Sequence, residues 1–403
     1  MTATKERKKT RAGGISLSAP ELKAALNAVG QAVTNRSPRP IYHSVLLSGS
    51  VLTGGDGDIR IDVMLENTPP GVNFLLPKDR FSAILGSFSG DEITITPDDT
   101  SCVIKARTAE WTLPTEDASE YPAWDVVDAK PITRMPADQF VRAVKGVVFA
   151  ADNESSRYAL GAVLIEVQGD SVSFVATDGR RLACVTCERR QVESTDDTKT
   201  LVPYAALSKC LKLLPKKKNS KRAEDEDNDN PAEYDCGTLA VQIEATSKEV
   251  VFTIGPIAND AVQPAKVVTA RLLDGRYPRW RDTLPERKAK STTVSRADLL
   301  SATRAAAICT SDESRGVQFV FSGDGIWLHG QSAEKGESSV TCDVVEAGDK
   351  ATVKLDPLFV QQWLGGIDSE AQPHVDVEVV DADSAVILRC GDNTGVIMPM
   401  AAE

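Results

Sequence analysis

The chain has 403 residues, 41% of them apolar and 26% charged, and a formal net charge of −12. That length suits roughly two to four globular domains with real cores. No run of about 18 apolar residues is present, so no membrane span is expected. The acidic balance argues against nonspecific wrapping of nucleic acid by the outer surface.

Residues 1–14 are basic and polar, read as a disordered arm, and lack the apolar stretch of a secretory signal. The pattern predicts a helix over Ile15–Val33, capped by Ser18, with Leu22, Ala25, Leu26 and Val29 on one face. Strands are expected at Ser44–Leu47 and Asp58–Val63. A helix from Pro77 carries Phe81, Ile84, Leu85 and Phe88, and strands follow at Glu92–Thr96 and Cys102–Lys105. The segment closes on Tyr121-Pro122-Ala123-Trp124.

The same order recurs. Pro136 opens a helix with Phe140, Val144 and Val147, and strands follow at Ala162–Val167 and Val172–Ala176. A helix then covers Tyr204–Leu214. Strands at Leu239–Glu244 and Val250–Ile254 lead to Tyr277-Pro278-Arg279-Trp280. A third round begins near Val294, with a helix carrying Leu299, Leu300 and Ala306 and strands at Val317–Ser322 and Gly325–Gly330. A helix with Leu358, Phe359 and Leu364 precedes strands at Val375–Val380 and Ala385–Arg389. This is a repeat of about 125 residues, too long for a solenoid unit and suited to repeated domains. Strands outnumber helices, so each unit reads as α+β, with helices on one face of antiparallel sheet. Residues 216–235 interrupt the second repeat as a disordered insertion, basic and then acidic.

No catalytic constellation stands out: there is no phosphate-cradling loop, nucleophile elbow or HExxH motif. Of eight cysteines, only Cys184 and Cys187 form a CxxC, and there is no second pair to complete a metal site. His43, His329 and His374 show no metal spacing. Neither a metal nor a cofactor is expected.

The most informative stretch is Ala176-Thr-Asp-Gly-Arg-Arg-Leu-Ala183, a strand that turns at Asp178-Gly179, where glycine accepts positive φ, and returns from Leu182. With Leu273-Asp-Gly-Arg-Tyr-Pro278 and Val396-Ile-Met-Pro-Met400, in that order on a threefold repeat, it resembles the bacterial replicative sliding-clamp family, the beta subunit of DNA polymerase III. The resemblance runs from about Ile15 to Met400.

It implies the DNA clamp fold: three similar domains at 15–127, 128–284 and 285–403, helices lining a hole, antiparallel sheets outside, and a head-to-tail homodimeric ring around duplex DNA. The implied role is a processivity factor without catalytic activity. Implied partners are duplex DNA without sequence preference, the DNA polymerase III alpha subunit, the clamp loader and other proteins with a clamp-binding motif; no membrane is involved, and the location is cytoplasmic, on the nucleoid. An accessory clamp of a phage or plasmid, or a multidomain enzyme with an interdomain site, is the alternative.

The family's peptide pocket maps onto Leu160, Thr177, Gly179, Arg180, Arg181, Leu182, Pro278, Val396, Ile397, Met398, Pro399 and Met400. DNA contact is implied for Arg36, Arg39, Arg157 and Tyr158. It is also expected from the helical basic residues Lys78, Arg80, Arg142, Lys145, Lys209, Lys212, Arg296 and Arg304. The subunit interface maps onto Trp111 and Leu113 against Ile308 and Cys309. Departures are Arg180 where the family often has histidine, Asp282-Thr283 where it has a basic then an apolar residue, and the ending Ala401-Ala402-Glu403.

Overall fold

The computed structural model describes residues 14–401 except 35–36, 67, 70, 89, 99, 125–127, 153–158, 190–196, 216–237, 259–260, 285–288, 312–314 and 369–371. The predicted arm (save Gly14), the 216–235 insertion, Arg36, Arg157 and Tyr158 lie outside the described residues.

The chain opens with β1 (Ile15–Ser18), α1 (Ala19–Val29), β2 (Ser44–Ser48), β3 (Val51–Gly55), β4 (Ile59–Met64), β5 (Asn73–Pro77), α2 (Lys78–Ser87), β6 (Glu92–Pro97), β7 (Ser101–Ala106) and β8 (Ala109–Pro114). Next come β9 (Lys130–Pro136), α3 (Ala137–Lys145), β10 (Ala162–Gln168), β11 (Ser171–Thr177), β12 (Arg181–Glu188), β13 (Thr198–Pro203), α4 (Tyr204–Leu213), β14 (Leu239–Ala245), β15 (Glu249–Ala258), β16 (Ala261–Val262) and β17 (Lys266–Arg271). The remainder is β18 (Thr292–Ser295), α5 (Arg296–Ala306), β19 (Val317–Phe321), β20 (Ile326–Ser332), β21 (Gly336–Cys342), β22 (Val344–Glu346), β23 (Ala351–Leu355), α6 (Pro357–Gly366), β24 (His374–Glu378), β25 (Val386–Cys390) and β26 (Asn393–Ile397).

Two compact units result, residues 1–129 with 212–271 and residues 130–211 with 272–403. In the first, β1-β6-β7-β8 form one antiparallel sheet and β5-β2-β3-β4-β17-β15-β14 run in order through another. The expected first helix is shorter than its apolar pattern. Ile15 and Leu17 alternate rather than follow a helical period, and they pair as a strand with Ile95 and Ile93. Ser18 then caps α1, its Oγ accepting from the Glu21 N–H at 3.4 Å, and Leu22, Ala25, Leu26 and Val29 are buried as the spacing requires. Phe81, Ile84 and Leu85 form the buried stripe of α2.

In the second unit, β13-β10-β11-β12-β26-β25-β24-β18-β22 form one antiparallel sheet and β21-β20-β19-β23 another. β10 and β11 are buried almost throughout, which explains their apolar runs; Phe140 of α3 meets Phe174 of β11 edge-on at 6.2 Å. Leu358 of α6 is 46% exposed, while Val360, Trp363 and Leu364 are buried. Among the described residues no helix is long and apolar enough to cross a membrane.

Close packing sets one sharp test in the first unit. A Cβ on Gly255 would lie 1.7 Å from the Gln263 carbonyl oxygen and 3.1 Å from the Ala265 nitrogen. Gly255→Ala should cost about 1–3 kcal/mol through overpacking, seen as an earlier urea midpoint. An unchanged midpoint would mean that the backbone at Gln263 yields freely.

Candidate binding cleft

The second unit holds a cavity of about 560 Å³ whose floor and rim come from three distant stretches together with Leu160, just before β10. The β11–β12 hairpin supplies the first. Gly179 takes φ 86°, a conformation that side chains with a Cβ avoid. Asp178 Oδ1 accepts the Arg180 and Arg181 N–H groups at 2.9 and 3.0 Å. Thr177 Oγ1 donates to the Arg181 carbonyl at 2.6 Å and accepts from the Gly179 N–H at 3.1 Å. The turn is therefore rigid before any ligand arrives.

β26 supplies the second stretch. It pairs antiparallel with β12, Leu182 opposite Val396, and the Met398 N–H donates to the Arg180 carbonyl at 2.9 Å. Period-two alternation places Leu182 and Val396 together in one buried cluster with Leu164, Val175, Cys184 and Trp280. The segment Arg276–Thr283 is the third. Tyr277 Oη donates to the Val175 carbonyl at 3.1 Å, and Trp280 Nε1 donates to Glu166 Oε2 at 3.0 Å.

Nine of the twelve candidates line this cavity: Leu160, Thr177, Gly179, Arg180, Arg181, Leu182, Pro278, Val396 and Met398. Ile397, Pro399 and Met400 are not among its lining residues. Ile397 is buried opposite Arg181 and Val386, and the Met400 N–H donates to the Lys354 carbonyl at 2.8 Å. The Arg181 guanidinium is engaged within the fold, bonding Asp178 Oδ2 at 2.9 Å, the Phe149 carbonyl at 2.6 Å and Gln362, and lying 4.3 Å from the centre of the Phe359 ring. Burial lowers its pKa, against the opposing pull of Asp178. Arg180, Arg276 and Arg279 are exposed at the rim, and Met398 is 48% exposed. Sequence reasoning missed Arg276, Tyr277, Arg279, Trp280 and Thr283 as lining residues; the signal was the recurring Tyr-Pro-x-Trp.

Among the DNA candidates, Lys78 (ion-paired with Asp79 at 3.0 Å) and Arg80 lie on α2, and Lys209 and Lys212 on α4. Arg142 and Lys145 are exposed on α3, Arg142 ion-pairing with Asp138 at 3.6 Å. Arg304 is exposed on α5, whereas Arg296 is half-buried and donates to the Leu364 carbonyl at 2.7 Å, so its side chain braces α5 against α6. Arg39 is exposed. Of the interface candidates, Trp111 is half-buried with its ring 6.1 Å from that of Phe88, and Leu113 is 7% exposed, so most of Leu113 belongs to its own core. Ile308 is 72% exposed and Cys309 half-buried. The first unit carries a smaller cavity at Tyr121-Pro122-Ala123-Trp124.

Family models describing the N-terminal and central domains of the DNA polymerase III beta subunit match residues 15–125 and 134–223. The chain belongs to the beta sliding-clamp family. It is 25% identical to the beta sliding clamp of Haemophilus influenzae over 395 residues, covering 96% of this chain and 99% of the relative. A Bacillus subtilis sliding-clamp structure superposes with a TM-score of 0.82 at 20% identity, covering 97% and 99% of the two chains. A Pseudomonas aeruginosa clamp structure bound to griselimycin superposes at 0.81 with 22% identity, covering 97% and 100%. The protein is a DNA sliding clamp, a processivity factor and not an enzyme. Among the described residues no cluster could hold a metal ion.

Glu166 ties the clamp's cleft together. It is 4% exposed and takes Trp280 Nε1, Lys199 Nζ at 2.9 Å and Arg281, whose guanidinium lies 4.2 Å from the centre of the Trp280 ring. Burial pushes its carboxyl up, but the Lys199, Arg281 and Trp280 contacts outweigh this and hold it below the usual range. The unfolded chain therefore takes up this proton first. The contribution is full above an ordinary glutamate pKa, about pH 4.3, and is lost as pH falls through the lower folded value. Glu166→Gln should cost about 1–3 kcal/mol at pH 7, since a hydrogen-bonded charge is removed while both cations can reach water. It should also flatten the acid limb of a denaturation-versus-pH series. An acid limb as steep as that of wild type would assign the sensitivity to other carboxylates.

Proposed function

We propose that this clamp closes as a head-to-tail homodimer of three-domain subunits around duplex DNA and tethers the DNA polymerase III alpha subunit, its clamp loader and other partners through the Leu160–Leu182–Met398 cleft. The carrying observation is the cavity of about 560 Å³ with a rigid turn, a buried apolar floor and an exposed methionine at its mouth. Such a site suits a short linear peptide: Leu182 and Val396 supply apolar walls, and methionine adapts to partners of varied shape. Cysteines offer no competing chemistry there. Burial pushes the thiol of Cys184, in the cluster beneath the cleft, up to about 11, so it stays protonated near neutral pH.

The DNA part of the reading rests on basic residues carried by α2, α3, α4 and α5 in a chain of net charge −12. Lys and Arg contacts to phosphate are salt-dependent and blind to sequence, which is what a sliding ring needs. Exposed Ile308 supports the proposed subunit contact, with Trp111 as its counterpart; a ring requires two different surfaces to match. The working location would be the cytoplasm, on the nucleoid.

Leu182 is a poor test residue, because at 5% exposure a charge there would break the cluster beneath the cleft. Met398→Glu avoids this. Wild type should bind a fluorescent polymerase-type peptide with a Kd on the order of micromolar, and the variant should bind it at least about tenfold more weakly with an unchanged melting curve. Equal affinity would remove the cleft from the reading. For the ring, protein loaded onto nicked circular DNA by its clamp loader should stay bound until the circle is cut. Equal retention on circular and linear DNA would exclude encirclement.

A further inference from the structure

The smaller cavity in the first unit, about 290 Å³, shares the turn and the cross-strand bond that build the larger cleft. Each is rimmed by a glycine with positive φ, Gly57 at 97° and Gly179 at 86°. Asp56 Oδ1 accepts the Asp58 and Ile59 N–H groups at 3.0 and 2.8 Å, as Asp178 does for Arg180 and Arg181. The Arg271 N–H donates to the Asp58 carbonyl at 3.0 Å, the bond that Met398 makes to Arg180. Trp124 Nε1 donates to a glutamate as Trp280 does, Glu249 Oε1 at 2.5 Å, but Glu249 lies on β15 beside β17 whereas Glu166 lies on β10 beside β11.

The lining differs in chemistry. Pairing of β4 with β17 and of β12 with β26 sets Arg60 in the place of Leu182 and Arg271 in that of Met398. Tyr42 stands two residues before β2, as Leu160 stands two before β10. An apolar floor has become an aromatic wall with guanidinium groups. Arg60 is already neutralised by Asp62, its Nε 2.9 Å from both carboxylate oxygens. Arg39 and Arg271 are exposed at the mouth. Arg271 lies 5.7 Å from the centre of the Trp124 ring, and its ion pair with Asp58, at 4.0 Å, is between groups 65% and 83% exposed.

We propose that this cavity is a second docking site of the protein, taking a carboxylate side chain of an acidic peptide segment between aromatic and guanidinium groups. A continuous phosphate backbone fits less well, because Glu249 lines the cavity and Asp56, Asp58 and Asp62 surround it. A single carboxylate needs only the exposed guanidinium groups of Arg39 and Arg271, and the paired charges gain a charge-assisted hydrogen bond.

The test uses full-length protein with 5-fluorotryptophan, the Trp124 signal being assigned by Trp124→Phe. The probe is a blocked nonapeptide of alternating aspartate and leucine, with its asparagine counterpart, inorganic phosphate and a linear duplex oligonucleotide as further arms. The aspartate peptide should shift the Trp124 signal saturably while the asparagine peptide does not. Arg271→Gln or Arg39→Gln, both at exposed positions, should weaken the effect about tenfold. Absence of a shift, indifference to both variants, or a Trp124 response to phosphate or duplex DNA equal to that of the peptide would overturn the proposal. A peptide that moved only the Trp280 signal would overturn it too, leaving the larger cleft's role untouched.

Discussion

The cleft depends on one set of backbone hydrogen bonds, those that join Arg181–Val185 to Asn393–Ile397. Without them Leu182 and Val396 would not meet, Met398 would have no fixed place beside Arg180, and the buried cluster would lose a wall. The first unit obeys the same constraint, joining Ile59–Val63 to Lys266–Ala270. In both, a hairpin with an Asp-x turn lends its outer strand to a segment far away in sequence. Side chains then decide what the shared geometry can hold: methionine and leucine in one unit, arginine and tyrosine in the other.

Local features were legible because short-range rules govern them. The Asp178-Gly179 turn, the Ser18 cap and the α2 stripe each follow from a few neighbouring residues. The start of α1 was misread because Ile15 and Leu17 also fit an apolar run; their pairing with β6 decides the matter, and no local signal carries it. β3 and β21 escaped notice for a similar reason: Gly54 and Gly55 weaken one pattern, and serines dilute the other. At the cleft, motif matching found the hairpin and the Val396–Met398 segment. It did not separate residues that face the cavity from those that face away. Ile397 shows why: alternation along a strand is clear, but which face meets a cavity is set by the partner strands.

Electrostatics follow the same division. The net charge is read from composition, yet the groups that matter are those whose partners the fold selects. Glu166 holds three donors inside the second unit, and Arg296 spends its side chain on a backbone carbonyl of α6. Charged residues therefore divide into braces and exposed contacts only once the packing is known.

The pairing of β12 with β26 has a consequence during synthesis. Leu182, Ala183, Cys184 and Val185 emerge from the ribosome long before Asn393–Ile397, so their strand spends that interval as an open sheet edge. Closing such a distant pair is slow compared with forming the β11–β12 hairpin. A nascent chain therefore holds a formed turn and no cleft, and it cannot engage a ligand there until the late strand arrives. The same interval is when the apolar edge is most open to association with another chain.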